Sequence, residues 1–223
     1  MSDNVLAQYY AQVAETYEDK YLEPDLDEDA EAAAEHVSEA LANHKVLELG
    51  CGTGFWTEFI AETAESVLAT DINDVMLEIA QEREYALENV EFCQADWLDL
   101  KLPEGRQFSA CFAAGMWPHV KCEDYAKVFK NIKAAIGSGG FLVLIGDNYV
   151  EDFTPPTART DAEGNTYQRR ELPDGSLVEV LKNFPTDSFL KKKFATVARD
   201  IRLSRNEFFW MLTCEIGRAS CRE

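Results

Sequence analysis

A glycine-rich run near residue 50 is the first feature of the sequence that could bind a ligand. Residues 45–49 read K-V-L-E-L, and residues 50–54 continue as G-C-G-T-G. Glycine lets the backbone turn sharply and pass close to a ligand. Ligands of open parallel sheets bind beyond the carboxyl ends of the strands. The run therefore predicts a ligand-binding loop, and the alternative is a simple tight turn between a strand and a helix.

Acidic residues follow the next two predicted strands. Asp71 ends the second strand, and Asp96 with Trp97 follows the third. One carboxylate can accept hydrogen bonds from both hydroxyls of a ribose, and a second could accept from an adenine amino group. An aromatic ring beside the second carboxylate could flank the base. These residues predict a nucleoside site at the edge of the sheet where the glycine loop lies, although Asp96 alone could cap a turn.

The spacing of the glycines separates two classes of cofactor. Dinucleotide-binding loops carry G-x-G-x-x-G, whose third glycine allows close helix packing, and the pyrophosphate sits at the helix N-terminus. Here Phe55 occupies the position of the third glycine, and Gly54 comes one residue early. A bulky side chain at that position disfavours a pyrophosphate. We therefore expect a cofactor without phosphate, such as S-adenosylmethionine (SAM).

Apolar segments of two different periods predict the elements that position these residues. Helical spacing covers residues 5–17 and 30–41, and further helices alternate with strand-like runs. Strands separated by helices form a parallel sheet with helices on both faces, and the last two strands, with no helix between them, form an antiparallel pair. We predict a Rossmann-like α/β fold with seven strands, the last one antiparallel. The predicted strands are residues 45–49, 67–70, 90–93, 108–112, 141–145, 201–203 and 208–212.

A single domain over residues 1–216 fits the length of 223 residues. Within it, we expect the N-terminal helices, residues 1–42, to form a lid. A hairpin over residues 150–182, with its turn at P-D-G-S, is expected to cover the acceptor site. Residues 217–223 continue no pattern, and we interpret them as a frayed end or a vector-derived run.

The order of the motifs resembles that of class I SAM-dependent methyltransferases. Between residues 45 and 146 the family's motifs read V-L-E-L-G-C-G-T-G, A-T-D-I-N, A-D-W, F-A-A-G-M and S-G-G-F-L-V. The resemblance implies that Glu48 anchors the loop, that Asp71 holds the ribose and that Ala113 offers its carbonyl to the cofactor amine. The other implied cofactor contacts are Gly50, Cys51 and Gly52 along the methionine part, with Gly54 in the same loop, Ile72 and Met76 near the adenosine, and Asp96 and Trp97 at the adenine.

His119 is the candidate catalytic residue. It ends the segment A-A-G-M-W-P-H, which replaces the family's amino-methyltransferase signature Asn/Asp-Pro-Pro-Tyr and argues against transfer to a base or amide nitrogen by that route. Imidazole is the side chain best suited to take a proton near neutral pH, as N–H and O–H acceptors require. The alternatives are that His119 caps the next helix or packs under the cofactor. Trp117 of the same segment is expected to contact the substrate.

Several other residues could contact the substrate. Arg159, Arg169 and Arg170 stand out in an acidic chain, and a guanidinium pairs well with a carboxylate or a phosphate. They suggest a small anionic acceptor, with surface salt bridges as the alternative. The other candidates are Tyr9 and Tyr17 in the N-terminal segment, whose alternative is ordinary helix packing, and Asn148 and Tyr149 after the fifth strand.

The overall composition limits the partners and the compartment. The formal charge is −20, from 41 acidic and 21 basic residues, and such a surface repels phosphate backbones, so we expect no nucleic-acid substrate. No apolar run approaches the roughly 20 residues that span a bilayer. We find no signal peptide at the N-terminus and no C-x-x-C pair among the cysteines. We therefore expect a cytoplasmic protein without membrane or metal binding, as a monomer or homodimer.

The sequence thus predicts an enzyme that transfers a methyl group from SAM to a small-molecule acceptor and leaves S-adenosylhomocysteine (SAH). Oxygen, nitrogen and sulfur acceptors remain open at this stage. Two other classes compete with this prediction. One is a non-catalytic SAM-binding regulatory protein, and the other is an NAD-dependent oxidoreductase, which Phe55 disfavours.

Overall fold

The main sheet lies at the centre of the protein. The computed structural model describes residues 5–217, apart from the side chain of Asp25. Seven strands form this sheet in the order β3-β2-β1-β4-β5-β10-β9. Those strands are β1 (Lys45–Leu49), β2 (Ser66–Asp71), β3 (Val90–Gln94), β4 (Ala110–Ala114), β5 (Phe141–Asp147), β9 (Ala198–Arg205) and β10 (Phe209–Ile216).

Strand directions confirm the predicted fold class. β1 pairs in parallel with β2 and β4, β2 with β3, and β4 with β5. β10 is antiparallel to both of its neighbours, β5 and β9, so it alone runs against the other strands of this sheet. The chain order reverses between β1 and β4, which is where open α/β sheets form their ligand crevice. The glycine loop after β1 therefore opens into that crevice.

Helices cover both faces of the sheet. Alternate residues of a strand point to opposite faces, so Val46 packs with the helices of one layer and Leu47 with those of the other. The helices are α1 (Val5–Gln12), α2 (Pro24–Ala40), α3 (Phe55–Ala61), α4 (Asp74–Gln81), α5 (Tyr125–Ile136) and α6 (Asp187–Phe194). Helices α2 and α3 contribute to the first layer, and α5 and α6 to the second.

The N-terminal segment differs from the prediction of one helix over residues 5–17. α1 ends at Gln12, and a 3-10 helix, Ala14–Leu22, follows it. Glu23 is extended, with φ −73° and ψ 120°, and Pro24 begins α2. Proline fits the first turn of a helix but disfavours helical geometry in the residue before it, so the chain changes direction at this point. The helical spacing of the apolar residues in 5–17 continues past Gln12, so the sequence pattern does not reveal that α1 ends there.

Residues between β5 and α6 form a second, antiparallel sheet of three strands, which we call the cover sheet. It consists of β6 (Thr157–Thr160), β7 (Thr166–Glu171) and β8 (Leu177–Leu181). The predicted hairpin is present as β7 and β8, joined by a turn in which Leu172 N donates to Ser176 O at 2.8 Å. The pattern missed β6, because its four residues are all exposed and no apolar alternation marks it.

Asn183, just after β8, attaches the cover sheet to the loop that precedes α5. Its backbone N–H donates to Pro118 O at 2.8 Å, and its side-chain Nδ2 donates to Val120 O at 3.0 Å.

No helix within residues 5–217 is long and apolar enough to cross a membrane. Apart from Gly217, the predicted tail lies outside the described residues.

Candidate functional site

The loop after β1 depends on left-handed backbone geometry. Gly50, Gly52 and Gly54 have φ of 68°, 57° and 86°, a region that disfavours every side chain. A Cβ on Gly50 would meet the Trp97 ring at 3.4 Å, and one on Gly54 would lie 2.6 Å from the Tyr85 hydroxyl. The glycines therefore permit both the turn and the close packing around it.

Glu48 anchors the start of this loop. Its carboxyl group is buried and accepts a hydrogen bond from Thr57 Oγ1 of α3 at 2.7 Å. Burial raises the pKa of Glu48 to about 8, against the lowering effect of the Thr57 hydrogen bond. Glu48 does not line the cavity described below, which agrees with the anchoring role that the resemblance implied.

Asp71, at the end of β2, connects two turns. Its Oδ2 accepts from Gly52 N at 3.0 Å, and its Oδ1 accepts from Asn73 N at 2.9 Å. Asp71 is only 8% exposed, and burial raises its pKa. A carboxylate has about four acceptor positions, so each oxygen keeps a lone pair that can face a ligand.

A cavity of about 570 Å³ opens beyond the carboxyl ends of β1, β2 and β4. At its far side Asp96 Oδ1 accepts from Leu98 N at 2.8 Å, which leaves the second carboxylate oxygen for a ligand. The predicted cofactor residues that line the cavity are Gly50, Gly52, Asp71, Ile72, Met76, Asp96 and Trp97. This lining fits a nucleoside, because Asp71 and Asp96 can accept hydrogen bonds from hydroxyl and amino groups and the Trp97 ring can pack on a base.

Besides Glu48, three predicted cofactor residues do not line this cavity. Cys51 and Gly54 belong to the loop, but Gly54 packs against Tyr85 and Ala80 on the opposite side. Ala113 is fully buried inside β4, and the next two residues, Ala114 and Gly115, line the cavity instead. Ala113 therefore does not reach the cavity, because residues inside a strand lie below the crevice and those at its end reach it.

A second cavity, of about 390 Å³, adjoins the first. Tyr10, Tyr17, His119 and Val180 line both cavities and form their shared wall. The second cavity lies between the N-terminal segment, the end of β5 and the cover sheet. Its polar lining includes Lys20, Asp147, Asn148, Arg170 and Lys182. We call the first the cofactor cavity and the second the acceptor cavity.

His119 is held from both sides of its ring. Nδ1 contacts Leu181 O, and Nε2 lies 2.7 Å from the Tyr10 hydroxyl. A carbonyl can only accept, so Nδ1 carries the proton and Nε2 accepts from Tyr10. Burial, followed by the charge of Lys182, lowers the pKa of His119 to about 3. Both ring nitrogens already have partners, so His119 could take a proton from a substrate only through the Tyr10 hydroxyl. This limits the predicted role of His119 as a base to an indirect one.

Tyr10 was not predicted as a site residue. A signal for it was available, because Tyr10 lies seven positions before the predicted Tyr17, and residues seven apart share one face of a helix. The two rings lie 5.7 Å apart edge to face. Burial raises the pKa of Tyr10 well above its ordinary value, so its hydroxyl keeps its proton.

An ion pair forms one wall of the acceptor cavity. Lys182 Nζ contacts Asp147 Oδ2, and the Lys182 side chain is only 8% exposed. Burial raises the pKa of Asp147, but the charges of Lys182 and Lys20 outweigh it and hold that pKa below its usual value. Asp147, Lys182 and Lys20 were missed by the sequence analysis. The available signals were that Asp147 ends β5 and that Lys20 is the only lysine or arginine in residues 1–44.

The structure separates the predicted substrate residues into two groups. Tyr9, Tyr17, Asn148 and Arg170 line the acceptor cavity. Trp117, in contrast, is fully buried in the core, where its ring stacks on Tyr125 at 4.7 Å, so its predicted substrate contact is wrong. Arg169 has a side chain 67% exposed and lies 3.9 Å from Glu179, so it does not reach the cavity.

Two further candidates are occupied elsewhere. Asn148 donates from Nδ2 to the carbonyls of Asn206, Glu207 and Phe209, and so serves mainly to hold the loop before β10. Tyr149 is 49% exposed and packs edge-on against Phe184 outside the cavity. The Asn148 amide nitrogen is therefore already engaged although Asn148 lines the cavity, and Tyr149 does not line it. Arg159, which lines the cofactor cavity, is ion-paired with Glu179 at 2.8 Å.

Comparisons with known proteins agree with this geometry. A family model described as "Methyltransferase domain" matches residues 46–140. Glycine N-methyltransferase of Rattus norvegicus is 29% identical over 152 residues, which are 62% of this chain and 51% of that protein. Ribosomal RNA small subunit methyltransferase A of Mesomycoplasma hyopneumoniae is 26% identical over 81% of this chain and 69% of its own. The chain thus spans about half the length of the glycine N-methyltransferase.

A solved structure matches nearly the whole chain. DhpI in complex with SAH has a TM-score of 0.78 at 27% identity, covering 96% of this chain and 97% of its own. The DhpI complex with SAM and HEP has a TM-score of 0.76 at 26% identity, covering 96% and 99%. Fold, loop, acidic strand ends and relatives together are consistent with the class I SAM-dependent methyltransferase family that the sequence resembles. Both of these neighbouring structures are complexes with SAH or SAM, which supports the cofactor that the glycine spacing predicted.

Proposed function

We propose that the protein transfers the methyl group of SAM to a small-molecule acceptor and releases SAH. The observation that carries this proposal is the acceptor cavity of about 390 Å³, which shares a wall of four side chains with the cofactor cavity. A cavity of this size is typical of the pockets that bind small molecules. The relatives named as methylating glycine support the same class of acceptor, although that activity is theirs.

The cofactor residues have separate tasks in this proposal. Asp71 accepts hydrogen bonds from the ribose hydroxyls, and Asp96 accepts from the adenine amino group while Trp97 packs on the base. Ile72 and Met76 line the adenosine part. The backbone of Gly50 and Gly52 lies along the methionine part, which brings the sulfonium end toward the shared wall.

The bound cofactor supplies a methyl group on a positively charged sulfur. The chain's own residues then have to align the acceptor in line with that bond and exclude water. Helix α1 contributes to both tasks, since Val5, Leu6 and Tyr10 close one side of the cofactor cavity. His119 fixes the Tyr10 hydroxyl at the boundary between the two cavities. In the proposal Tyr10 is therefore the member of this pair that faces the acceptor, and His119 acts through it.

The test is a turnover assay on the full chain. SAM binding is measured by calorimetry, and SAH release is followed with a panel of small carboxylates, phosphonates, amines and alcohols. The proposal predicts SAM binding together with acceptor-dependent SAH release from at least one of these compounds. Tight SAM binding with no release from any of them would favour the non-catalytic SAM-binding protein instead.

A further inference from the structure

The acceptor cavity has an excess of positive charge in a strongly acidic protein. Three cations, Lys20, Arg170 and Lys182, line it with one carboxylate, Asp147, although the whole chain carries −20. Within residues 5–217 neither Lys20 nor Arg170 forms an ion pair. The chain has 41 acidic residues that could pair with these cations, so the absence of an ion pair at both Lys20 and Arg170 in this part of the chain needs an explanation.

Arg170 is oriented toward this cavity by a buried amide. Gln168, on the same face of β7, is fully buried, and its Oε1 accepts from Arg170 Nη2 at 2.7 Å. The Gln168 amide is fixed in turn by its Nε2, which donates to Pro155 O. One nitrogen of the guanidinium is thus occupied by a neutral acceptor that leaves the charge uncompensated. A guanidinium carries five N–H donors in a fixed fork, so the fork retains donors for an anion.

Lys20 is held without being neutralised. Its Nζ lies 4.4 Å from the centre of the Tyr17 ring and 4.7 Å from that of Tyr21, and it donates to the Tyr17 hydroxyl at 3.3 Å. Aromatic faces attract a cation but do not cancel its charge. Lys20 comes from the N-terminal 3-10 helix and Arg170 from the cover sheet, so the two cations approach the cavity from different elements.

Lys182 and Asp147 line the same cavity as an ion pair. Their ion pair is nearly neutral as a unit, so the net charge of the lining comes from Lys20 and Arg170. Burial lowers the pKa of Lys182 even though Asp147 opposes the shift, so the ammonium group lacks part of the stabilisation it has in water. Like charges that share a desolvated site are unfavourable unless an anion lies among them.

From these contacts we propose that the acceptor cavity binds the anionic group of the methyl acceptor, a carboxylate or a phosphate-like oxyanion, between Lys20 and Arg170 and above Lys182. This inference rests on the proposed function for the identity of the ligand as the acceptor. It makes the acceptor a small anion and assigns its recognition to three side chains of which only Arg170 was suggested by sequence.

Arg169 provides a matched control. It neighbours Arg170 on β7 and carries the same group, but it points to the other face, is exposed and lies near Glu179. The probes are acetate, methylphosphonate and the uncharged acetamide, titrated by ligand-observed NMR into the full chain loaded with SAH. The variants are Arg170→Gln, Lys20→Gln and Arg169→Gln, and SAH binding to each one checks that it is folded.

The proposal expects acetate or methylphosphonate to bind and acetamide not to. Arg170→Gln and Lys20→Gln should each weaken the anion at least about tenfold, whereas Arg169→Gln should stay within about twofold of the wild type. The anion that binds more tightly distinguishes a carboxylate from a phosphonate acceptor. Equal binding of acetamide, no binding of either anion, or equal losses in Arg169→Gln and Arg170→Gln would each overturn the proposal.

The same variants separate this inference from the proposed function. Anion binding that depends on Arg170, without turnover of any acceptor, would leave the anion site standing and refute methyl transfer to a small molecule. Turnover of uncharged acceptors with a KM that Arg170→Gln leaves unchanged would refute the anion site and leave the methyltransferase function intact.

Discussion

Asp71 shows how one side chain can organise a cofactor site before the cofactor binds. It holds Gly52 of the glycine loop and Asn73 of the next turn through separate carboxylate oxygens. Both backbone donors are thereby satisfied on the inner side of the carboxylate, and its remaining lone pairs face the cavity. In the proposed function, the charge of Asp71 thus stabilises the loop and also binds the cofactor.

Asp71→Asn should therefore weaken SAM binding about 10- to 100-fold, because an amide presents a single acceptor oxygen and hydrogen bonds to charged groups contribute about 1.5–3 kcal/mol. Isothermal titration calorimetry with SAM and SAH measures the change. Asp74→Asn, an exposed acid at the start of α4, is the matched control and should bind like the wild type. Equal affinities of the Asp71 variant and the wild type would contradict the ribose role.

The shifted pKa of His119 makes the stability of the folded protein depend on pH. Its pKa is lowered to about 3 in the folded protein, from an ordinary 6.5, so the unfolded chain binds the proton more tightly. The stabilisation is complete above pH 6.5 and is lost progressively as the pH falls toward 3. Glu48, with its pKa raised to about 8, acts in the opposite sense, since its contribution is lost as the pH rises through that value.

Replacing the imidazole isolates its part of this pH dependence. Between pH 7 and pH 5 the wild type should lose about 2 kcal/mol more of its unfolding free energy than His119→Asn, which cannot take up the proton. Urea unfolding at both pH values gives the two differences. His36→Asn, at an exposed site on α2, should follow the wild type. Identical losses in wild type and His119→Asn would mean that the folded protein does not hold this ring neutral.

At the scale of elements, the N-terminal segment is attached to the glycine loop by charge. Glu18 of the 3-10 helix accepts from Thr53 of the loop and is ion-paired with Arg83, which also contacts Glu58 at 2.7 Å and donates to Thr53 O at 2.7 Å. The Phe55 ring stacks on Tyr21 at 4.1 Å beside this cluster. Phe55, whose bulk disfavours a dinucleotide, thus packs against the 3-10 helix, and Tyr17 of that helix lines the cofactor cavity.

Breaking this attachment should loosen the closed segment. Glu18→Gln is expected to weaken SAH binding about 3- to 10-fold, because the partly buried Arg83 loses an ion-pair partner. Stopped-flow measurement of SAH release should assign most of the loss to a faster dissociation rate. Glu15→Gln, an exposed change on the same 3-10 helix, should leave both quantities unaltered. A slower release in Glu18→Gln would show that this contact does not restrain the segment.

At the scale of the whole molecule, the negative net charge leads us to expect no RNA substrate, although one relative is named for ribosomal RNA. The chain has 41 acidic and 21 basic residues, and the cations of the acceptor cavity lie inside it rather than on a continuous surface. Binding of nucleic acid draws most of its free energy from cations that replace the counterions of the phosphates. An acidic surface lacks that source.

The full chain should therefore fail to retain structured RNA in a filter-binding assay even at low salt, where electrostatic attraction is strongest. A competition experiment extends the test, since added RNA should not change the SAH affinity. Retention that falls as salt is raised would reveal a basic surface and reopen RNA as a substrate.

Local information was enough to predict most of the fold and most of the residues that line the cofactor cavity. The strands have apolar runs of the right length, the glycines stand where the backbone is left-handed, Asp71 ends β2 and Asp96 comes shortly after β3. These features depend on neighbours in the chain, and the parallel order of β1 to β5 follows from their connections. The break after Gln12 and the exposed strand β6 left no such local mark.

Tertiary structure alone decided the acceptor half. Lys20, Arg170 and Lys182 come from the N-terminal segment, β7 and the end of β8, and no spacing in the sequence relates them. Arg169 and Arg170 are equivalent in sequence, but successive residues of a strand face opposite sides, so the register of β7 determines which one reaches the cavity. Helix geometry separates Trp117 from His119, since one turn of 3-10 helix buries the first in the core and directs the second to Tyr10.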